Sequence, residues 1–84
     1  MSEKLYQLGY TLYSSGDYGY AIKTLKEAVK YDETNVKALY FLGRGFQKQQ
    51  KYDKAKKYYE TIINDFPDSD RVALSKAKLT EMGY

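Results

Sequence analysis

Three phenol rings recur at helical spacing near the start of the chain. Tyr6, Tyr10 and Tyr13 stand at i, i+4 and i+7, which on an α-helix sets them on one face. Tyrosine combines a large apolar ring with a polar tip and suits a half-buried recognition surface. The same spacing also serves ordinary helix-to-helix contacts, so both readings stand. Acid–base or metal chemistry has less to work with. The sequence contains no histidine and no cysteine, which removes the usual neutral-pH proton donor and acceptor and any thiolate metal site. Asn64, Asp65, Asp68 and Asp70 crowd one turn. They lack calcium-loop spacing and read as caps and solvated charge. Gly43-Arg44-Gly45 falls inside a helical stretch, where small residues serve packing rather than a phosphate loop. The expectation is a non-enzyme with no metal and no cofactor.

Charge narrows the class of partner. The net charge is +3, with the excess confined to residues 43–84, and Arg44 to Lys57 holds six basic residues against Asp53 alone. Such a face favours an anionic partner, but the total is too small to announce nucleic acid. The chain has 84 residues, enough for one domain that hides roughly 60–65% of its unfolded surface. With no cysteine, disulfides cannot staple it, and the compartment stays open. Its longest apolar run, Leu39 to Leu42, is far short of the ~20 residues a membrane helix needs. Met1-Ser2-Glu3-Lys4 lacks the apolar stretch of a signal peptide.

The elements that must position these side chains are helices throughout. Leu5, Leu8 and Leu12 form one apolar face, and Ala21, Leu25, Ala28 and Val29 a second. Leu39, Leu42 and Phe46 form a third, and Ala55, Tyr59, Ile62 and Ile63 a fourth. A fifth helix is predicted from Ser69 to Met82, stopping at Gly83. Turns are predicted at Ser14–Asp17, Asp32–Asn35, Lys48–Asp53 and Phe66–Ser69.

An offset of 34 residues lays the chain on itself. It pairs Leu5 with Leu39, Tyr6 with Tyr40, Leu8 with Leu42, Gly9 with Gly43, Tyr18 with Tyr52 and Ala21 with Ala55. A helix-turn-helix repeated at this period predicts a helical solenoid, because one hairpin cannot bury both of its apolar faces. Tyr18 and Tyr52 recur at the hairpin turn and read as structural. On the matching helix of the second copy, Tyr40, Arg44 and Gln47 take the places of Tyr6, Tyr10 and Tyr13, with Lys37 and Lys48 alongside.

The two copies resemble the tetratricopeptide repeats, whose pattern is a large apolar residue, Leu-Gly, an aromatic, then Ala, an aromatic and a closing Pro. The first copy reads Leu5, Leu8-Gly9, Leu12, Ala21, Leu25, with Glu33 in place of the proline. The second reads Leu39, Leu42-Gly43, Phe46, Ala55, Tyr59, Pro67, with Gln50 at the turn glycine. The resemblance implies an all-α fold, a right-handed α-α superhelix fragment of five antiparallel helices. Its divisions would be repeat one over 2–35, repeat two over 36–69, and a capping helix over 70–83. In the capping helix, Ala73, Leu74 and Ala77 are expected to pack on the second hairpin, with Arg71, Lys78 and Glu81 toward water.

In this family the first helix of each hairpin lines the concave surface. The resemblance therefore implies a groove floored by Tyr6, Tyr10, Tyr13 and Tyr40, carrying Gln47 and edged by Lys37, Arg44, Lys48, Arg71 and Lys78. A peptide or protein segment with apolar and some acidic side chains fits such a groove. Relatives that hold C-terminal carboxylates use a Lys and an Asn where this chain has Tyr6 and Tyr10, so that activity is not expected. Two further readings stay open: self-association or docking within a larger scaffold, and polyanion or nucleic-acid binding through Arg44–Lys57. The Lys51–Lys57 run is otherwise expected to be a solvated outer face. Location stays open between the cytoplasm and a bacterial cell envelope.

Overall fold

The computed structural model describes all 84 residues and contains five helices: α1 (Ser2–Ser14), α2 (Tyr18–Tyr31), α3 (Val36–Lys48), α4 (Tyr52–Asp65) and α5 (Arg71–Glu81). The fold is an all-α helical repeat with no strand, measuring 30 × 26 × 16 Å. No helix is long and apolar enough to cross a membrane.

One turn type ends α1, α3 and α5. The amides of Asp17, Lys51 and Tyr84 donate to the carbonyls of Leu12, Phe46 and Leu79, each at 2.9 Å. A left-handed residue precedes each donor: Gly16 at φ 84°, Gln50 at φ 61° and Gly83 at φ 93°. Such a turn satisfies helix-end carbonyls and favours glycine. Gln50 holds the same conformation with a side chain attached.

At the opposite end of the hairpins, Asn35 ties three helices together. Its Oδ1 accepts from the Ala38 amide at 3.1 Å, capping α3. Its Nδ2 donates to Ser2 Oγ at 2.9 Å, and Ser2 Oγ donates to the Ala28 carbonyl at 2.7 Å. The start of α1 therefore meets the end of α2, as an antiparallel hairpin requires. Ser69, at the matching place before α5, accepts from the Arg71 amide at 3.1 Å.

Within each hairpin a glycine lets the helices approach. A Cβ on Gly9 would stand 2.6 Å from Leu25, and one on Gly43 would stand 2.6 Å from Tyr59. α3 packs against all four other helices and holds most of the core: Ala38, Leu39, Tyr40, Phe41, Leu42 and Phe46 are buried, joined by Leu25, Tyr59 and Ile62. Fully burying side chains of this size contributes about 1.5–3 kcal/mol each.

Two packing expectations are corrected. Leu8 is 52% exposed although Leu42, its repeat partner, is fully buried. Leu42 belongs to a helix covered by all four others, whereas α1 packs only on α2 and α3. α5 is also rotated from the expected register. Val72, Leu79 and Met82 pack on the core and Ser75 is fully buried, while Ala73, Leu74 and Ala77 are exposed. Val72, Ser75 and Leu79 fall on the repeat positions of Ala38, Phe41 and Gly45, the side that meets the preceding hairpin. α5 packs on α3 and α4 alone, which leaves its other side uncovered.

Candidate functional site

The first helices of the hairpins lie side by side: α3 packs on α1 and on α5. Phe41 sits at the centre of the face they form. Its ring lies 5.0 Å from Tyr10 and 5.3 Å from Tyr13, both edge-on, and 6.1 Å from Tyr6. Tyr40 meets Phe41 edge-on at 5.3 Å. Ring pairs at these separations contribute about 0.5–1.5 kcal/mol beyond their buried area.

Three cations sit over these rings. Lys37 Nζ stands 5.0 Å from the Tyr6 ring and pairs with Glu3 at 2.9 Å. The Arg71 guanidinium lies 5.2 Å from the Tyr40 ring and 5.8 Å from that of Phe41. The Arg44 guanidinium lies 5.6 Å from Tyr13 and 5.9 Å from Tyr40, and it donates a long bond of 3.5 Å to Tyr40 Oη. Each such cation–π contact contributes about 0.5–2 kcal/mol, more as it is desolvated. Neither arginine has a carboxylate partner; the ion pairs are Lys37–Glu3 and Lys78–Glu81.

Toward the turn end, Gln47 Oε1 accepts from Tyr59 Oη at 2.8 Å, and Gln47 Nε2 donates to Glu81 at 3.4 Å. Glu81 also pairs with Lys78 at 2.9 Å. Arg44, Gln47, the exposed Lys48 and Lys78 line an open pocket of about 220 Å³ there, with Gln50 and Tyr52. Tyr52 is exposed, unlike Tyr18, which packs 5.5 Å from Tyr13. At the opposite end, Glu3, Lys37, Asp70 and Arg71 are among the residues around a second pocket of about 350 Å³.

Burial raises the Tyr6 and Tyr13 phenols above their ordinary value, with Arg71 and Lys37 acting against this at Tyr6, and Arg44 at Tyr13. At neutral pH the face therefore presents protonated phenols and fixed positive charge. It can donate hydrogen bonds and attract carboxylates, but it holds no neutral-pH base. Tyr13 Oη is buried without a hydrogen-bond partner. No group of three or more acidic side chains converges as a cation site would need.

The expected groove floor needs one correction. Tyr40 is only 3% exposed, sealed between Phe41, Tyr59 and the Arg71 guanidinium. It supports the face from beneath and does not open onto it. Tyr10, at 45% exposure, is the outward ring, while Tyr6 and Tyr13 are half-buried. Phe41, the residue that gathers the tyrosines, was not among the expected site residues. Its signal is the stripe Ala38, Phe41, Leu42 and Gly45 on α3, which overlaps the hairpin-facing stripe Leu39, Leu42 and Phe46 at Leu42.

A model of the tetratricopeptide repeat family matches residues 12–79. The match takes in Phe41, Arg44 and Arg71 and leaves out Tyr6 and Tyr10. No curated protein matches the chain.

Proposed function

The chain belongs to the tetratricopeptide repeat family, and from that premise we propose that it is a non-catalytic module holding a peptide segment across α1, α3 and α5. Repeats of this family generally mediate protein–protein interaction. The observation that carries the narrower reading is the Phe41 cluster: an exposed Tyr10 backed by packed rings, with Arg44 and Arg71 beside it and no carboxylate on either. Packed rings lose little conformational entropy on binding, and unpaired guanidinium groups orient acidic side chains. A short segment with an apolar anchor and flanking acids answers both features.

The test uses arrayed short peptides of mixed apolar and acidic composition, followed by affinity measurement on the best binder. Tyr10→Ala combined with Arg44→Ala should weaken binding roughly tenfold or more while leaving the helical circular dichroism signal intact. Unchanged affinity in the folded double variant would remove this face from consideration.

A second reading, self-association, is favoured by a separate observation. Leu8 on α1 and Leu74 on α5 remain 52% and 47% exposed at positions where a neighbouring helix could pack. Sedimentation at several concentrations separates the readings: a strict monomer at high concentration rejects this one.

A further inference from the structure

α2 and α4 do not pack on each other; each packs on α3. The ring that fills the space between them is Phe46 of α3, buried and stacked on Tyr58 of α4 at 5.8 Å with 13° between planes. Around this pair stand three lysines from two helices. Lys26 Nζ lies 5.5 Å from the Phe46 ring and Lys54 Nζ 5.7 Å. With Lys57 they line an open pocket of about 200 Å³. All three are exposed, and none is in an ion pair.

We propose that this pocket, on the side opposite the Phe41 face, is a second binding site that takes an acidic segment of a partner protein. Three ammonium groups around one pocket repel one another, and the ring floor lowers the local polarity. A carboxylate entering there relieves the repulsion and gains from the weaker screening. Nucleic acid fits less well. Phe46 is buried and Tyr58 stacks on it, so the Phe46 ring offers no open face to a base. Three lysines around one pocket also do not make the extended track that a phosphate backbone follows. One or two carboxylates, carried on a peptide crossing between α2 and α4, match the size and sign of the site. This proposal does not depend on the Phe41 face binding anything.

Fluorescence anisotropy with a labelled oligoglutamate peptide at low salt provides the test, with oligothymidylate as the competing probe. The folded triple variant Lys26→Ala, Lys54→Ala, Lys57→Ala should bind the peptide at least tenfold more weakly. Lys4→Ala, Lys56→Ala, Lys76→Ala removes the same charge from other faces, Lys56 lying over Tyr84 and away from the pocket, and Tyr10→Ala with Arg44→Ala disables the other face. Both should change affinity less than threefold. The proposal is overturned by no peptide binding to the parent chain, by equal losses in the two lysine variants, by loss in the Tyr10 and Arg44 variant instead, or by tighter binding of oligothymidylate than of the peptide.

Discussion

Gly43 faces the ring of Tyr59 so closely that a methyl group on it would meet Cε1 at 2.6 Å and Cζ at 2.8 Å. The ring cannot yield easily, because it is fully buried and its hydroxyl is held by Gln47 at 2.8 Å. Gly43→Ala is therefore expected to destabilise the fold by about 1–3 kcal/mol, read from urea denaturation. An unchanged midpoint would mean that α3 and α4 can separate at no cost.

Gln50 occupies the left-handed position that glycine holds after α1 and α5. A side chain there is strained, by about 1–2 kcal/mol before the greater freedom of unfolded glycine is counted. Gln50→Gly should raise stability by about 0.5–1 kcal/mol. Gly16→Ala, at the equivalent turn, should lower it by a similar amount. The pair of opposite shifts is the diagnostic, and two shifts of the same sign would contradict the turn geometry.

Ser75 is fully buried on α5, and its hydroxyl has no hydrogen-bond partner. An unsatisfied buried polar group costs about 1–3 kcal/mol, and alanine is the better helix former. Ser75→Ala is expected to raise the thermal midpoint, with about 1 kcal/mol gained. A loss would reveal a partner for that hydroxyl.

Burial raises the phenol pKa of Tyr59, Tyr6, Tyr13 and Tyr58 above the ordinary 10.0. A raised folded-state value means the folded chain keeps a proton that the unfolded chain gives up. Their contribution is fully present below pH 10.0 and lost as pH rises past it. Stability measured by denaturant should therefore fall steeply above that pH, and Tyr59→Phe should flatten the fall. On the acid side, Asp32 and Glu81 have lowered values, from bonds donated by Thr34 and Lys78 respectively. Their contribution is lost as pH falls through the carboxylate range, and both residues are exposed, so the acid loss should be shallow.

Helix positions were legible because apolar spacing and the 34-residue offset agree. Gly9 and Gly43 share one role, and Gly16 and Gln50 share one turn. Solvent contact is a property of neighbours, and no repeat offset supplies it. Leu8 and Leu42 are the same residue at the same repeat position, yet one is exposed and the other sealed. The match to Tyr6 predicts Tyr40 as a floor residue, but α5 brings Arg71 over it. α5 itself kept the repeat frame on the side meeting the second hairpin, where Val72, Ser75 and Leu79 sit. Its Ala73 and Ala77, which look like packing residues, lie on the side turned away from α3 and α4. Phe41 lay within a continuous apolar run, where hairpin-facing and neighbour-facing stripes overlap and period alone does not separate them.

Backbone amide shift mapping with the best-binding arrayed peptide tests the interaction surface most directly. The largest shifts should fall on Tyr6, Tyr10, Phe41, Arg44 and Arg71, spanning α1, α3 and α5. Shifts confined to α2 and α4, or to the exposed sides of α1 and α5 around Leu8 and Leu74, would contradict it.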